Sequence, residues 1–161
     1  MNRMLTAGLI VLGAYASPSL AGCNNNQSYL TQAQVNTILS NNFACGRSAA
    51  QNAPGWNEKH VGTSVVEQHD AGVGDDEPVG TWSTTSVNGR GRVTYAYSGG
   101  VAPVYEVAVV ANGNCNQPAP GTCTNVPQTF QFCGVGGGAP AVLNILVTSS
   151  LPTLASCPAN P

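Results

Sequence analysis

Alternating apolar and polar positions run through the middle and the end of the chain. Val93, Tyr95 and Tyr97 are spaced two residues apart, and side chains at this spacing share one face of a β-strand. Asn88-Gly89 precedes them and is typical of a hairpin turn. This spacing and the β-branched content predict six strands: Thr63–His69, Val79–Ser86, Arg92–Tyr97, Val104–Val110, Gln128–Cys133 and Ala141–Thr148.

A helical pattern precedes these strands and predicts one short helix over Tyr29–Ser40. Thr31 is a favourable N-cap, and Gln34 three residues later completes a capping box. Leu30 and Val35 flank this cap and are placed to form a hydrophobic staple. A helix of this length is marginal alone, so we expect it to pack against the sheet.

The order of these elements predicts the fold class. Short strands that follow one another through tight turns favour an antiparallel meander. We therefore expect a mainly β domain, α+β at the margin, with a barrel-like sheet of about five to six strands and one N-terminal helix. Four segments between and after these elements show neither the period of a strand nor that of a helix, and we expect them to be irregular. They are Gly46–Gly62, Asp70–Pro78, Ala111–Pro127 and Pro152–Pro161.

The first 21 residues have the layout of a secretory signal peptide. Arg3 precedes an apolar run, Met4–Tyr15, and the small-residue sequence Ser19-Leu20-Ala21 follows. This predicts a leader over residues 1–21 and a single domain over 22–161 in the periplasm or outside the cell. The alternative is a lipobox, Leu20-Ala21-Gly22-Cys23, which would make the protein an outer-membrane lipoprotein anchored through Cys23.

Six cysteines in an exported chain predict a disulfide framework. Cys115 and Cys123 enclose a short loop, and we expect them to pair. The other four leave two arrangements open, and no C-x-x-C motif points to redox chemistry. The arrangements are Cys45 with Cys133 and Cys23 with Cys157, or Cys23 with Cys45 and Cys133 with Cys157.

Charge is sparse and unevenly distributed. Without Arg3 the chain has four basic and seven acidic residues, a net charge of −3. Six of the seven acidic residues lie between Glu58 and Glu77, and no charged residue follows Glu106. Because no basic patch is present, the composition argues against nucleic-acid binding.

The acidic segment also contains both histidines and is the weak candidate for a metal site. His60, His69 and Glu67 would suit Zn²⁺ or Cu²⁺, and Asp75 and Asp76 would suit Ca²⁺. The EF-hand spacing and the H-E-x-x-H and G-x-S-x-G motifs are missing. A solvated acidic loop is therefore the preferred interpretation, with no cofactor and no catalytic set predicted.

A binding surface made of aromatic side chains is the alternative to a metal site. The sheet faces would be lined by Trp82, Tyr95, Tyr97, Tyr105 and Phe132. If one face is open to solvent, it can bind a protein or carbohydrate partner; if it is closed, these residues form the core. The candidate binding residues are Trp56, Glu58, His60, Trp82, Tyr95 and Tyr97.

Five short motifs together resemble a family of small exported proteobacterial proteins with no known activity. The motifs are LTQAQVNTILSNNFACG, WNEKH, VGTWS, RVTYAY and TFQFCG, which span Leu30 to Gly134. The resemblance implies a Cys45–Cys133 disulfide, since these two cysteines fall within the matching motifs. The sequence DAGVGDDEP departs from the family's lysine-containing segment. Gly80-Thr81-Trp82 also resembles the G-x-W of lipocalin-like and avidin-like barrels, where the Trp packs at a barrel end.

Three function hypotheses follow from the sequence. The first is an exported, non-enzymatic binding or inhibitor-type module. The second is a self-associating surface protein, suggested by the uncharged C-terminal third and by an exposed edge on the strand Ala141–Thr148. The third is a metal protein or enzyme centred on Glu58–Glu77.

Overall fold

A computed structural model describes Cys23 and residues 27–48, 55–67, 77–110 and 124–160. These residues contain one α-helix, one 3₁₀ turn at Leu154–Ser156 and nine strands. The helix is α1 (Gln32–Leu39) and the strands are β1 (Phe43–Ser48), β2 (Gly55–Val61), β3 (Ser64–Glu67), β4 (Glu77–Val87), β5 (Arg90–Tyr97), β6 (Val104–Val109), β7 (Gln128–Gly136), β8 (Val142–Thr148) and β9 (Ala159–Asn160).

The first eight strands form a closed up-and-down barrel. Each strand pairs antiparallel with the next one along the chain, and β8 pairs with β1, where Phe43 lies opposite Thr148. The short β9 runs parallel to β1 and extends the sheet beside it. The antiparallel, barrel-like prediction is therefore confirmed, but its count of five to six strands is wrong because the barrel has eight.

Two strands of the barrel, β1 and β2, were not predicted. Their sequences lack alternation because both faces of this part of the sheet are covered. Ala44 faces the core, while Cys45 on the opposite face is also buried. Asn57 of β2 is buried on the outer face, near the carbonyl of Pro152. The segment after β8 thus covers this side of the barrel, and the polar outer positions that reveal a half-exposed strand are absent.

The predicted helix is present but begins later than expected. Thr31 is the N-cap, and its backbone N–H donates to the Gln34 side chain at 2.8 Å in a complete capping box. Residues 28–30 are extended: Leu30 donates to the carbonyl of Val107 and accepts from the N–H of Gly91. They fill the gap where β5 and β6 diverge.

The helix then crosses one end of the barrel. Its side chains Val35, Ile38 and Leu39 are buried in the core. On the polar side, Gln32 donates to the carbonyl of Thr84 at 2.9 Å, and the Thr84 hydroxyl donates to Asn36 at 2.9 Å. The turn β2–β3 and the hairpin β4–β5 lie at this closed end, so the loops β5–β6 and β7–β8 lie at the other.

Two disulfides attach the terminal segments to the outer face of the barrel. They join Cys23 to Cys133 and Cys45 to Cys157. The predicted Cys45–Cys133 and Cys23–Cys157 pairs are wrong, as is the alternative arrangement. Cys45 is on β1 and Cys133 on β7, with β8 between them. Strands two apart are separated by about 10 Å, beyond the roughly 7 Å Cα–Cα limit of a disulfide.

Several predictions fall outside the described residues. These include the leader over residues 1–21 and the expected Cys115–Cys123 pair. Within the ranges that the structure describes, no helix is long and apolar enough to cross a membrane.

Candidate functional site

The end of the barrel away from α1 contains a cavity of about 410 Å³. Its walls combine aromatic, proline and aliphatic side chains with one carboxylate. The lining residues are Trp56, Glu58, Tyr95, Tyr97, Pro103, Tyr105, Pro140, Leu143 and Ile145. Tyr95, Tyr105 and Ile145 are buried and form the inner part, whereas Trp56, Glu58 and Tyr97 are partly exposed.

The lining follows from strand alternation in β2 and β5. Trp56, Glu58 and His60 are two residues apart on β2 and therefore share its inner face. Tyr95 and Tyr97 share the inner face of β5 in the same way. The two rings are nearly parallel, with an interplanar angle of 10° and centroids 5.8 Å apart.

Gly46 provides space for the indole of Trp56 at the cavity wall. A Cβ atom at this position of β1 would lie 2.9 Å from Cζ2 of Trp56. A larger residue would therefore push the indole from its place or separate β1 from β2.

Glu58 is the charged group among these lining residues, and Tyr97 holds it in place. The Tyr97 hydroxyl donates a hydrogen bond to Oε2 of Glu58 at 2.9 Å. Burial, together with the negative charge of Glu58, raises the pKa of Tyr97 well above its usual range. The same two causes raise the pKa of Tyr105 to about 12. Both phenols therefore stay neutral, and the lining carries the negative charge of the carboxylate.

His60 and Trp82 lie behind this wall rather than in it. Nε2 of His60 is 3.1 Å from the Tyr95 hydroxyl, and the imidazole meets the Trp82 ring edge to face at 5.2 Å. Burial lowers the pKa of His60 to about 4, although the backbone of Asn42 acts in the opposite direction. His60 is therefore a neutral core residue at neutral pH, and Trp82 is 7 % exposed.

Two loops shape the mouth of the cavity. Pro103 precedes β6 and Pro140 precedes β8, and both contribute to the lining. The loops approach each other closely at Gly137, where an added Cβ would overlap the carbonyl of Ala102. Gly137 also has a φ of +65°, which glycine adopts without strain.

The predicted site residues divide into four groups. Trp56, Glu58, Tyr95 and Tyr97 line the cavity, while His60 and Trp82 pack behind it. Glu67 lies opposite Glu58 in the β2–β3 register. The candidates His69, Asp75 and Asp76 fall outside the described residues. Within the described ranges, no three His, Cys, Asp or Glu residues are grouped closely enough to hold a metal ion.

Five lining residues were not among the candidate binding residues: Pro103, Tyr105, Pro140, Leu143 and Ile145. The two-residue spacing of Leu143 and Ile145 could have indicated that both lie on one face of β8. Nothing in the sequence indicated that Pro103 and Pro140 face the same space, because this depends on how two loops meet.

The geometry defines a small closed β-barrel with an internal cavity at its open end. The chain matches none of the family models, curated proteins or solved structures with which it was compared.

Proposed function

We propose that this protein is an exported, non-enzymatic binding module that takes a small organic molecule into the open end of its barrel. The observation that carries this proposal is the cavity of about 410 Å³ with aromatic and aliphatic walls. Small-molecule sites usually occupy roughly 300–1,000 Å³ and combine apolar walls with a few polar groups. Glu58 and Tyr97 provide such groups here.

Export is supported by two independent features. The first residues follow the pattern of a signal peptide, and disulfides join the described cysteines in two pairs. Disulfides form and persist mainly outside the cytoplasm. We therefore place the protein in the periplasm or outside the cell, with lipid attachment at Cys23 disfavoured because its sulfur is bonded to Cys133.

A binding role is preferred to catalysis because of what the lining offers. Its hydroxyl groups belong to tyrosines, and burial raises the pKa of Tyr95, Tyr97 and Tyr105. Raised pKa values disfavour the ionised phenolate that would act as a base or nucleophile. These phenols are thus suited to holding a molecule rather than to removing a proton from it.

Self-association was suggested by an exposed edge on the strand now assigned as β8. In the structure β8 pairs with β7 along its length and with β1 near its end. Asn160 covers part of the remaining edge: its side chain accepts from Asn144 N–H and donates to Asn144 C=O at 2.6 and 3.0 Å. The exposed edge that suggested self-association is therefore largely paired or covered in the structure.

The neutral fluorescent probe N-phenyl-1-naphthylamine tests the proposed cavity binding. We expect saturable enhancement of its fluorescence, and an affinity at least about tenfold lower in Leu143→Trp, because the larger ring fills the cavity. Leu151→Trp is the matched control, since Leu151 is exposed and outside the lining. Absence of enhancement, or equal affinity in the two variants, would contradict cavity binding. Near-UV circular dichroism establishes that both variants are folded.

A further inference from the structure

The lining of the cavity has an unusual composition for a purely apolar ligand. Four aromatic rings, from Trp56, Tyr95, Tyr97 and Tyr105, surround the same space as the carboxylate of Glu58. The faces of aromatic rings carry partial negative charge and attract cations, most strongly when water is excluded. The carboxylate therefore gives this space a group that attracts cations, and a ring face turned toward the space would add to that attraction.

Tyr97 orients the carboxylate within this lining. The Tyr97 hydroxyl donates to Oε2 of Glu58 at 2.9 Å and so holds the carboxylate at the cavity wall. The remaining lining residues, Pro103, Pro140, Leu143 and Ile145, carry no charge.

The basic side chains of the described residues are placed on the outer face of the barrel. Arg47 donates to the carbonyl of Cys157, and Lys59 lies over the ring of Phe43 at 5.2 Å. Arg90 and Arg92 both form ion pairs with Glu106. Glu106 is thus the carboxylate that these two arginines meet on the outer face, whereas Glu58 lies in the lining beside the aromatic rings.

We infer that the cavity recognises a small organic cation, an ammonium group attached to an apolar body. The ammonium would lie among the aromatic rings near Glu58, at the partly exposed end of the lining. The apolar body would extend toward Ile145 and Leu143, which provide the aliphatic wall. This inference rests on the proposed function and adds the chemical class of the ligand.

Two isosteric probes separate charge from shape. Phenyltrimethylammonium and tert-butylbenzene have the same form and differ in one atom, N⁺ in place of C. Binding to the intact protein is followed by the fluorescence of its tryptophans, of which Trp56 lines the cavity. We expect the cation to bind at least about tenfold more tightly, as several cation–π contacts and one carboxylate require.

The Glu58→Gln variant identifies the source of this preference. Glutamine retains an oxygen that accepts from Tyr97 but removes the charge, so we expect the cation-to-neutral affinity ratio to fall close to one. Glu77→Gln is the matched control, because Glu77 is exposed and outside the lining, and it should retain the ratio. If Glu58→Gln does not fold, Tyr105→Leu tests the same ratio through loss of a ring.

The outcomes distinguish the inference from the proposed function. Equal affinity for the two probes, or tighter binding of the anion benzenesulfonate, would overturn the cation preference while leaving cavity binding in place. Failure of both isosteres to bind would also overturn it, and the naphthylamine titration would then decide whether the cavity binds small molecules at all. A ratio that persists in Glu58→Gln and in Tyr105→Leu would place the preference elsewhere.

Discussion

His60 shows how a residue that looked functional in the sequence has a structural role. Its imidazole is fully buried between the hydroxyl of Tyr95 and the ring of Trp82. Because water is excluded there, the charged form is disfavoured and the pKa falls to about 4. His60 positions Tyr95. Because its charged form is disfavoured in the fold, burial of His60 lowers the stability of the protein when the pH falls.

We expect the free energy of unfolding to decrease between pH 6.5 and pH 4. Over this range the unfolded chain binds a proton at His60, whereas the folded barrel excludes it. A pKa lowered to about 4 corresponds to a loss of about 3 kcal/mol across the range. Urea unfolding at a series of pH values, with the disulfides intact, measures this slope.

Replacing each histidine identifies the group that is responsible. His60→Gln should remove the slope, even if it also lowers stability at pH 7. His69→Gln, which removes the chain's other imidazole, should retain it. A slope that persists in His60→Gln, or disappears in His69→Gln, would assign the titration to another residue.

At this scale the sequence predicted part of the site. Strand alternation placed Tyr95 and Tyr97 on one face, and the structure brings them together with Trp56 and Glu58 at the cavity. Alternation could not show that these residues line the cavity while His60 and Trp82 pack behind it. It gives the face of a strand on which a side chain lies, but not its depth along the barrel. The G-x-W resemblance correctly implied a packed role for Trp82.

Among the elements, the loops β5–β6 and β7–β8 determine the shape of the cavity mouth. Gly137 and Gly138 are neighbours with similar positive φ angles, +65° and +76°. They differ in their surroundings: a Cβ at Gly137 would overlap the backbone of Ala102, while a Cβ at Gly138 would meet nothing within 4 Å. Substitutions at these two glycines therefore distinguish the effect of backbone strain from the effect of the contact between the loops.

We expect Gly138→Ala to lower stability by about 1 kcal/mol through its positive φ, with probe binding unchanged. Gly137→Ala adds the steric conflict with Ala102, so it should cost at least about 1 kcal/mol more and should weaken naphthylamine binding by moving Pro103 and Pro140. Thermal unfolding and probe titration of both variants check this. Equal effects of the two substitutions would show that the loops do not depend on this contact.

The elements also show why β1 and β2 were missed while β5 and β6 were predicted. An exposed outer face makes a strand visible in the sequence, as in the alternation through Val93 and Tyr95. In β1 the outer face is covered by Cys157 and its neighbours, so that Ala44 and Cys45 are both buried. Such coverage is a tertiary effect and leaves no period in the local sequence.

In the whole molecule, the two disulfides attach the segments that precede and follow the barrel to its wall. They close sequence separations of 110 and 112 residues, and each closure can contribute about 4–5 kcal/mol by restricting the unfolded chain. The wrong pairing in the sequence-based prediction arose because motif order does not reveal which strands are neighbours.

Non-reducing peptide mapping should recover peptides that join Cys23 to Cys133 and Cys45 to Cys157. We expect the double variants Cys23→Ser/Cys133→Ser and Cys45→Ser/Cys157→Ser each to lose about 2–5 kcal/mol of stability in urea unfolding. A peptide joining Cys45 to Cys133 would contradict the arrangement. Unchanged stability in either variant would show that its disulfide does not constrain the unfolded chain.

The seam between β1 and β8 has a consequence for how the barrel is assembled. Phe43 meets Thr148 across this seam, roughly a hundred residues later in the chain, and such distant partners slow folding because their encounter costs entropy before any pairing compensates it. In a chain that emerges amino end first, β1 can pair with β2 early, but its other edge stays uncovered until β8 has been made. We therefore expect this edge of β1 to be open to pairing with another chain during that interval.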